Sequence, residues 1–357
     1  MILEKFSNWI VSFQINFVER IRLGRSMLGF MAVPVEFFYA VLSKFNLASP
    51  PKVKFNRYVI EYRKTNPVEQ QSEQPIAIVT GANSGIGYTT SKALMLAGFH
   101  VIFACRNKDL ATEAMDKIKK ETNLETCEYM HLDLSSFESI HQFTTEFKSK
   151  YASLKLLVNN AGVMMCPYLK TKDGIEMQFG TNHVGHFILT NNLLDVLKRS
   201  SPARIVNVSS LAHLFADTTI EKIIERTTNP KKYNKIWNYG NSKIANIMFS
   251  TLLAKKLSGT GVVVNSLHPG SVNTGLTRYS SFDNNFLVRF IKSILLLSPT
   301  AGSLTTIKVA TSSDLENVTG KYFARENETT ALSFSQNIPA CQELWDFTES
   351  LIQEHSA

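Results

Sequence analysis

From Pro75 to near the end of the chain, short apolar runs rich in β-branched residues alternate with longer stretches of helical character. Runs that are apolar throughout are typical of a parallel sheet covered on both faces by helices. With right-handed crossovers, this alternation predicts a doubly wound α/β domain with about seven strands. The predicted strands lie at 76–80, 99–104, 126–132, 154–158, 204–209, 261–267 and 320–323. The predicted helices lie at 88–97, 108–121, 137–150, 176–199, 239–258 and 300–312.

The segment that precedes this domain holds most of the net charge. Residues 1–64 carry ten Lys and Arg against four Glu, so they account for +6 of the formal net charge of +8. The rest of the chain is therefore close to neutral, and a protein whose body binds nucleic acid is not expected. A basic segment of this kind suits the anionic surface of a membrane.

Residues 26–43 form an apolar run of eighteen residues, interrupted by Glu36 and by Pro34 at its middle. A spanning helix needs about 20 apolar residues, so this run either spans marginally or bends at the proline into a shallow hairpin. Packing of these apolar helices on the domain is the alternative. The predicted division of the chain is a membrane-associating apolar helical extension at 1–64, a polar linker at 65–74 and the α/β domain at 75–357.

Neither the cysteines nor the histidines have the spacing of a metal site. The four cysteines are far apart in the sequence, and none belongs to a CxxC pair. His183 and His186 are one helical turn apart but have no partner ligands nearby in the sequence. No metal ion and no disulfide framework are expected.

A glycine-rich turn separates the first predicted strand from the first helix. Glycines at this place allow a tight turn and a close approach of the backbone, so that the N–H groups of the helix N-terminus face a pyrophosphate. A purely structural turn is the alternative. The turn predicts a dinucleotide site, with these candidate binding residues: Gly81, Asn83, Ser84, Gly85, Ile86 and Gly87.

The end of the second strand indicates which dinucleotide is bound. Enzymes that use NAD place an acidic side chain here for the ribose hydroxyl, whereas this chain has Arg106 and Lys108. A guanidinium suits a 2′-phosphate, so NADP(H) is predicted over NAD(H), unless these are only solvated charges. Asp133 follows the third strand and could contact the adenine, although Asp133 or Ser135 could equally cap the next helix.

The spacing Y-x-x-x-K occurs four times, at Tyr88, Tyr151, Tyr168 and Tyr239. Position distinguishes them, because ligands of such sheets bind beyond the carboxyl ends of the strands. Tyr239 is predicted to begin a long helix after the strand that ends at Ser210, and Lys243 lies on the same helix face.

Taken with Asn159–Gly162, Asn182 and Pro269–Gly270, these motifs resemble those of the classical-type short-chain dehydrogenases/reductases, which have a Rossmann-type fold. The resemblance runs from about Pro75 to the C-terminus. The ACRN sequence at 104–107, the long stretch between Ser210 and Tyr239 and the apolar N-terminal segment resemble the membrane-associated retinol dehydrogenase-like and polyprenol dehydrogenase-like members.

The resemblance implies roles for these residues. Tyr239 is the acid/base, Lys243 favours its phenolate, Ser210 donates to the substrate oxygen, and Asn182 fixes a helix irregularity and a proton-relay water. Simpler alternatives are a loop hydroxyl for Ser210 and a polar helix end for Asn182. The further cofactor-binding residues that it implies are Asn160, Ala161, Gly162, Pro269, Gly270 and Thr274, of which Thr274 could instead be an N-cap.

The resemblance also implies that the strongly apolar segment after Thr274, residues 282–297, forms a lid over the substrate. A retinoid, steroid or polyprenoid alcohol or aldehyde is expected, delivered at the endoplasmic reticulum or a lipid droplet. Core packing or a homodimer contact is the alternative for the segment. A membrane-attached NADP(H)-binding protein without turnover is the competing function.

Overall fold

The computed structural model describes residues 51–67, 74–272 and 296–355, together with Pro34 and Val41. An eight-stranded sheet with the order β3-β2-β1-β4-β5-β6-β7-β8 forms its centre. The strands β1 to β7 pair in parallel, and β8 returns antiparallel to β7. The strands are β1 (Ile76–Thr80), β2 (His100–Cys105), β3 (Cys127–His131), β4 (Leu156–Asn159), β5 (Ala203–Val208), β6 (Val262–His268), β7 (Tyr322–Ala324) and β8 (Asn327–Thr329).

Helices cover both faces of this sheet. The helices are α1 (Pro51–Thr65), α2 (Gly85–Ala97), α3 (Lys108–Thr122), α4 (Phe137–Lys150), α5 (Gly185–Arg199), α6 (Ile220–Thr228), α7 (Lys235–Lys256), α8 (Pro299–Thr311) and α9 (Ile338–His355). One apolar core lies between the sheet and α2, α3 and α8. The other lies between the opposite face and α4, α5, α7 and α9. The predicted doubly wound α/β fold is confirmed.

Several boundaries differ from the prediction for local reasons. β8 was missed because the turn before it places Arg325 and Glu326, not glycine or asparagine, at φ 49° and 66°. α7 begins at Lys235 instead of Tyr239, because the Asn234 side chain accepts from the N–H groups of the first helical turn. The prediction also lacked α1, α6 and α9.

Most of the predicted N-terminal extension, residues 1–33, 35–40 and 42–50, lies outside the described residues, as do residues 68–73 of the predicted linker. The described part of the extension is α1, which packs on the domain. Its Phe55, Tyr58 and Val59 are buried in a small core with Leu304 and Ile307 of α8. Residues 51–64 are thus in contact with the α/β domain.

Membrane crossing can be assessed only for the part of the chain that the structure covers. Within it, no helix has both the length and the apolar composition that a membrane span requires.

A buried ion pair fastens α1 to the β7–β8 turn. Lys54 Nζ lies 2.8 Å from Glu326 Oε1, and Tyr58 Oη donates to Glu326 Oε2 at 2.5 Å. Burial, reinforced by the Glu326 carboxylate, raises the pKa of Tyr58 far above its usual value, so its phenol stays a donor. Lys308 Nζ donates to the Glu326 carbonyl at 2.7 Å, and the Glu326 N–H donates to Thr305 Oγ1. These contacts hold the turn in its left-handed conformation.

We expect Glu326→Gln to weaken the packing of α1 on the domain, because Lys54 would remain charged, buried and without its carboxylate. Removing one partner of a buried ion pair costs about 3–5 kcal/mol. The matched control is Glu61→Gln on α1, the helix that carries Lys54. It removes the exposed pair with Arg57 and should cost less than about 1 kcal/mol. For both variants, urea unfolding measures the loss of stability, and hydrogen exchange of the α1 amides measures the packing of α1 on the domain. Equal effects in the two variants would contradict the assignment.

Candidate active site

The glycine-rich turn between β1 and α2 leads into a helix whose N-terminus has no side-chain cap. Ser84 occupies the N-cap of α2 but makes no side-chain capping hydrogen bond, whereas Asn107 caps α3 and Ser136 caps α4. Gly81 has φ 65°, and a Cβ at Gly87 would lie 2.3 Å from the Gly81 carbonyl oxygen. A close backbone cradle at an uncapped helix N-terminus fits the pyrophosphate of a dinucleotide.

Thr80 fixes this turn against the end of β4. The Thr80 hydroxyl accepts from the N–H groups of Asn160 and Ala161, both at 2.9 Å. The Asn160 side chain donates to the Thr80 carbonyl at 2.8 Å. The structure therefore brings together two motifs that the sequence places about eighty residues apart. The hydroxyl of Thr80 was not among the predicted functional groups, although Thr80 opens the predicted turn.

The end of β2 presents two exposed cations. Arg106 and Lys108 are exposed, and among the described residues neither has an ion-pair partner within 4 Å. Asn107, between them, caps α3 by accepting from the Leu110 N–H at 2.9 Å. Two unpaired cations beside a dinucleotide cradle form a suitable place for a phosphate monoester.

Asp133 lies near Arg106 and is almost fully buried. Its carboxylate accepts from the N–H and the hydroxyl of Ser135, at 3.0 and 2.7 Å. Burial acts to raise the pKa of Asp133, but the Ser135 hydrogen bonds and the nearby Arg106 and Lys172 lower it overall. The capping alternative for Asp133 or Ser135 is wrong, because Ser136 caps α4 with its own hydroxyl.

Asn182 lies in a π-helical turn, Gly180–Val184, directly before α5. Its carboxamide accepts from the Val163 N–H at 2.8 Å and donates to the Val163 carbonyl at 2.9 Å. The same amide donates to Ser242 Oγ on α7 at 2.9 Å. A helix irregularity at Asn182 was expected from the family resemblance, and the structure contains one. Val163 and Ser242 had no signal in the sequence, because their contacts depend on tertiary packing.

Tyr239 and Ser210 meet beyond the carboxyl end of β5. Burial raises the pKa of Tyr239 to about 12, while a hydrogen bond with the Ser210 side chain acts in the opposite direction. The Ser210 hydroxyl also accepts from the Ala212 N–H at 3.1 Å, which holds it at the start of a short 3₁₀ turn. The two side chains that the sequence proposed for the reacting oxygen thus lie near each other at this edge of the sheet.

Lys243 is buried one helical turn after Tyr239. Its Nζ lies 5.7 Å from the centroid of the Tyr239 ring and donates to the Val208 carbonyl at 3.1 Å. Burial lowers the pKa of Lys243 to about 8. A Cβ placed on Gly162 would be 3.6 Å from this Nζ and 3.0 Å from Asn182 Oδ1. Lys243, Asn182 and the loop after β4 therefore surround one small space.

The other three Y-x-x-x-K tyrosines have different surroundings. Tyr151 donates to Glu128 at 2.6 Å and contacts His100, which begins β2 at the amino edge of the sheet. Tyr88 packs under Lys117, and Tyr168 packs edge-on against Tyr233. None of these three has the Ser210 contact of Tyr239.

The buried carboxylate of Asp217 holds the long stretch between Ser210 and Tyr239 against α7. Asp217 Oδ2 accepts from Arg226 Nε at 2.5 Å and from the Asn241 side chain at 2.9 Å. Asn241 Oδ1 in turn accepts from the Asp217 N–H at 2.8 Å. This stretch, which includes α6, therefore forms an ordered wall beside the catalytic candidates.

The remaining cofactor candidates follow β6. Pro269 and Gly270 lie at the carboxyl edge of the sheet, where Gly270 has φ 88°. Thr274 lies outside the described residues, and so does nearly all of the apolar segment predicted as a lid. Within the described ranges no group of three or more His, Cys, Asp or Glu could hold a metal ion.

Comparison with known proteins identifies the same domain. The family model described as short chain dehydrogenase matches residues 75–219 and 227–285. The short-chain dehydrogenase TIC 32 A, chloroplastic, of Brassica napus is 40% identical over 285 residues, which cover 78% of this chain and 88% of the relative. Human retinol dehydrogenase 14 is 37% identical over 290 residues, with coverages of 77% and 85%. Human polyprenol dehydrogenase is 39% identical over 285 residues, with coverages of 78% and 85%.

A solved structure agrees with this assignment. The Pseudomonas aeruginosa RhlG/NADP active-site complex is 25% identical, with a TM-score of 0.57, over 73% of this chain and 96% of that chain. The fold, the glycine-rich turn and the family match all lead to the same conclusion. The chain belongs to the short-chain dehydrogenase family and is an oxidoreductase of alcohols and carbonyl compounds that binds a nicotinamide dinucleotide.

Proposed function

We propose that this protein is an NADP(H)-dependent oxidoreductase that interconverts a lipophilic alcohol and its aldehyde or ketone, with Tyr239 as the acid/base. The observation that carries the proposal is the buried contact between Tyr239 and Ser210, with Lys243 beneath the tyrosine ring. A protein that only bound the dinucleotide would not require these groups together. The names of the retinol and polyprenol dehydrogenases among its relatives support a lipophilic alcohol as substrate.

In the reductive direction, the Tyr239 hydroxyl donates its proton to the carbonyl oxygen while Ser210 stabilises the developing charge through a hydrogen bond. In the oxidative direction, Tyr239 accepts the proton. A phenol whose pKa is raised to about 12 by burial needs assistance to lose a proton near neutrality. Lys243 is charged below its own pKa of about 8, and an ammonium close to the ring favours the phenolate.

The bound nicotinamide supplies or accepts the hydride. The backbone of Gly81, Asn83, Ser84, Gly85, Ile86 and Gly87 would hold the pyrophosphate, and Arg106, with Lys108 or Asn83 assisting, the 2′-phosphate. Asp133 would contact the adenine side of the site. The remaining contacts, toward the ribose and the nicotinamide, are assigned to Asn160, Ala161, Gly162, Pro269, Gly270 and Thr274. The NADP complex of the related RhlG supports NADP(H) as the dinucleotide.

We also propose that residues 1–50 attach the protein to the surface of the endoplasmic reticulum or of a lipid droplet. The outer face of α1 supports this proposal. Val53 and Ile60 are 61% and 51% exposed there, and Lys52 and Lys64 are exposed beside them. Exposed aliphatic and basic side chains together favour an anionic lipid surface.

Single turnover decides whether the protein is an enzyme of this class. We expect NADPH bound to the full-length protein to lose its nicotinamide absorbance when retinoid, steroid or polyprenoid carbonyl compounds are added. Tyr239→Phe should bind NADPH normally but reduce turnover roughly a hundredfold or more, since the ring remains and the proton donor is lost. Tyr151→Phe is the matched control, because it removes a hydroxyl from the same spacing motif. Binding without turnover in the wild type would favour the competing function.

Arg106→Asp tests the choice of dinucleotide. A hydrogen bond to a charged group is worth about 1.5–3 kcal/mol, so losing it should reduce kcat/KM for NADP(H) roughly ten- to a hundredfold. The value for NAD(H) should stay equal or rise. Lys222→Asp makes the same charge change at an exposed position in the first turn of α6 and should leave the preference unchanged. A wild type that already prefers NAD(H) would contradict the proposal.

Membrane attachment is tested by comparing deletions of residues 1–50 and 1–64. We expect neither truncated protein to remain in the membrane fraction. Only the shorter deletion should keep the stability of the full-length domain, because it retains α1 and the Lys54–Glu326 pair. Flotation with liposomes and thermal unfolding measure the two properties separately. Full-length protein that stays in solution without detergent would contradict membrane attachment.

A further inference from the structure

Two buried histidines bind the two polar atoms of a single peptide group next to Ser210. His213 Nδ1 lies 2.8 Å from the Ser210 carbonyl oxygen, and the Leu211 N–H donates to His268 Nδ1 at 3.1 Å. The Ser210 carbonyl and the Leu211 N–H belong to the same peptide. This Ser210–Leu211 peptide is therefore held from both sides by imidazole rings.

The chemistry of this peptide fixes the form of each ring. A carbonyl oxygen only accepts, so His213 must carry a proton on Nδ1; an N–H only donates, so His268 Nδ1 must be unprotonated. Burial, with a smaller effect of the neighbouring His268, lowers the pKa of His213 to about 4. The His213 ring is therefore neutral, and its Nε2 has no hydrogen-bond partner among the described residues.

The two rings come from different parts of the domain. His213 lies in the 3₁₀ turn after Ser210, and the Tyr322 ring of β7 packs edge-on against it at 5.2 Å. His268 is the last residue of β6 and directly precedes Pro269. The Ser209 N–H donates to the Leu267 carbonyl at 2.7 Å, so the chain ends of β5 and β6 are also joined beside the histidines.

We propose that His213 and His268 are positioning residues that orient Ser210 by holding the peptide that follows it. This inference rests on the proposed function, in which Ser210 donates to the reacting oxygen. Because His268 precedes Pro269 and Gly270, the same contact sets the position of Ser210 relative to the candidate nicotinamide site. If the Ser210 hydroxyl is displaced by about 1 Å from its productive place, the reaction rate can fall roughly a hundredfold.

The test uses the full-length protein and replaces each histidine in two ways. Leucine removes the hydrogen bond, whereas asparagine can keep it, because Asn at position 268 offers an acceptor and Asn at position 213 a donor. We expect His268→Leu and His213→Leu to lower the single-turnover rate roughly ten- to a hundredfold with an unchanged NADPH Kd. We expect His268→Asn and His213→Asn to recover most of that rate. His100→Leu, at the amino edge of the sheet, is the control.

A combined variant separates positioning from general stability. In a Ser210→Ala background, His268→Leu should cause no further loss of rate, because the hydroxyl that it orients is already absent. The same fold loss in both backgrounds would overturn the proposal, and so would a wild-type rate in His268→Leu.

Imidazole nitrogen NMR on the wild type gives a readout that does not depend on turnover. We expect the Nδ1–H tautomer for His213 and the Nε2–H tautomer for His268. Other tautomers would overturn the proposal, even in an active enzyme. A wild type that shows both expected tautomers but turns over none of the carbonyl compounds would instead contradict the proposed function.

Discussion

The carboxamide of Asn182 is the group on which the geometry of the site depends. It is fully buried, and its contacts with the Val163 backbone and Ser242 Oγ use both ends of the amide. Leaving a buried polar group unpaired costs about 1–3 kcal/mol, so the π turn, the loop after β4 and α7 are constrained to meet. Since α7 also carries Tyr239 and Lys243, the orientation of the catalytic candidates follows from that junction.

Burial is the second determinant, because it shifts the ionisable groups of the site in opposite directions. It raises the pKa of Tyr239 above the usual value of a phenol and lowers the pKa of Lys243 below the usual value of an amine. The same low-polarity surroundings keep His213 neutral. In such surroundings a single hydrogen bond, such as that of Ser210, has more influence on charge than it would in water.

The buried Lys54–Glu326 pair extends this organisation to the chain preceding the domain. It places α1 across α8 and the β7–β8 turn, so the chain from Pro51 onward lies at a defined place on the domain. A buried ion pair of this kind fixes the position of α1 more than it stabilises the fold, because the two charges lose hydration when they are buried. α1 and the oxidoreductase domain therefore pack as one unit.

The sequence by itself determined the doubly wound fold, since apolar strands alternating with helices have few other arrangements, and α4 matched its predicted residues. It also selected Tyr239 over three other tyrosines of equal spacing, by position along the chain. It did not predict β8, whose turn uses Arg325 and Glu326, or the contacts of Val163, Ser242, His213 and His268. The contacts of Val163, Ser242 and His268 join residues that are distant in sequence, where local patterns carry no information. Only the tertiary structure decided them, because a hydrogen bond is formed by distance and direction in space.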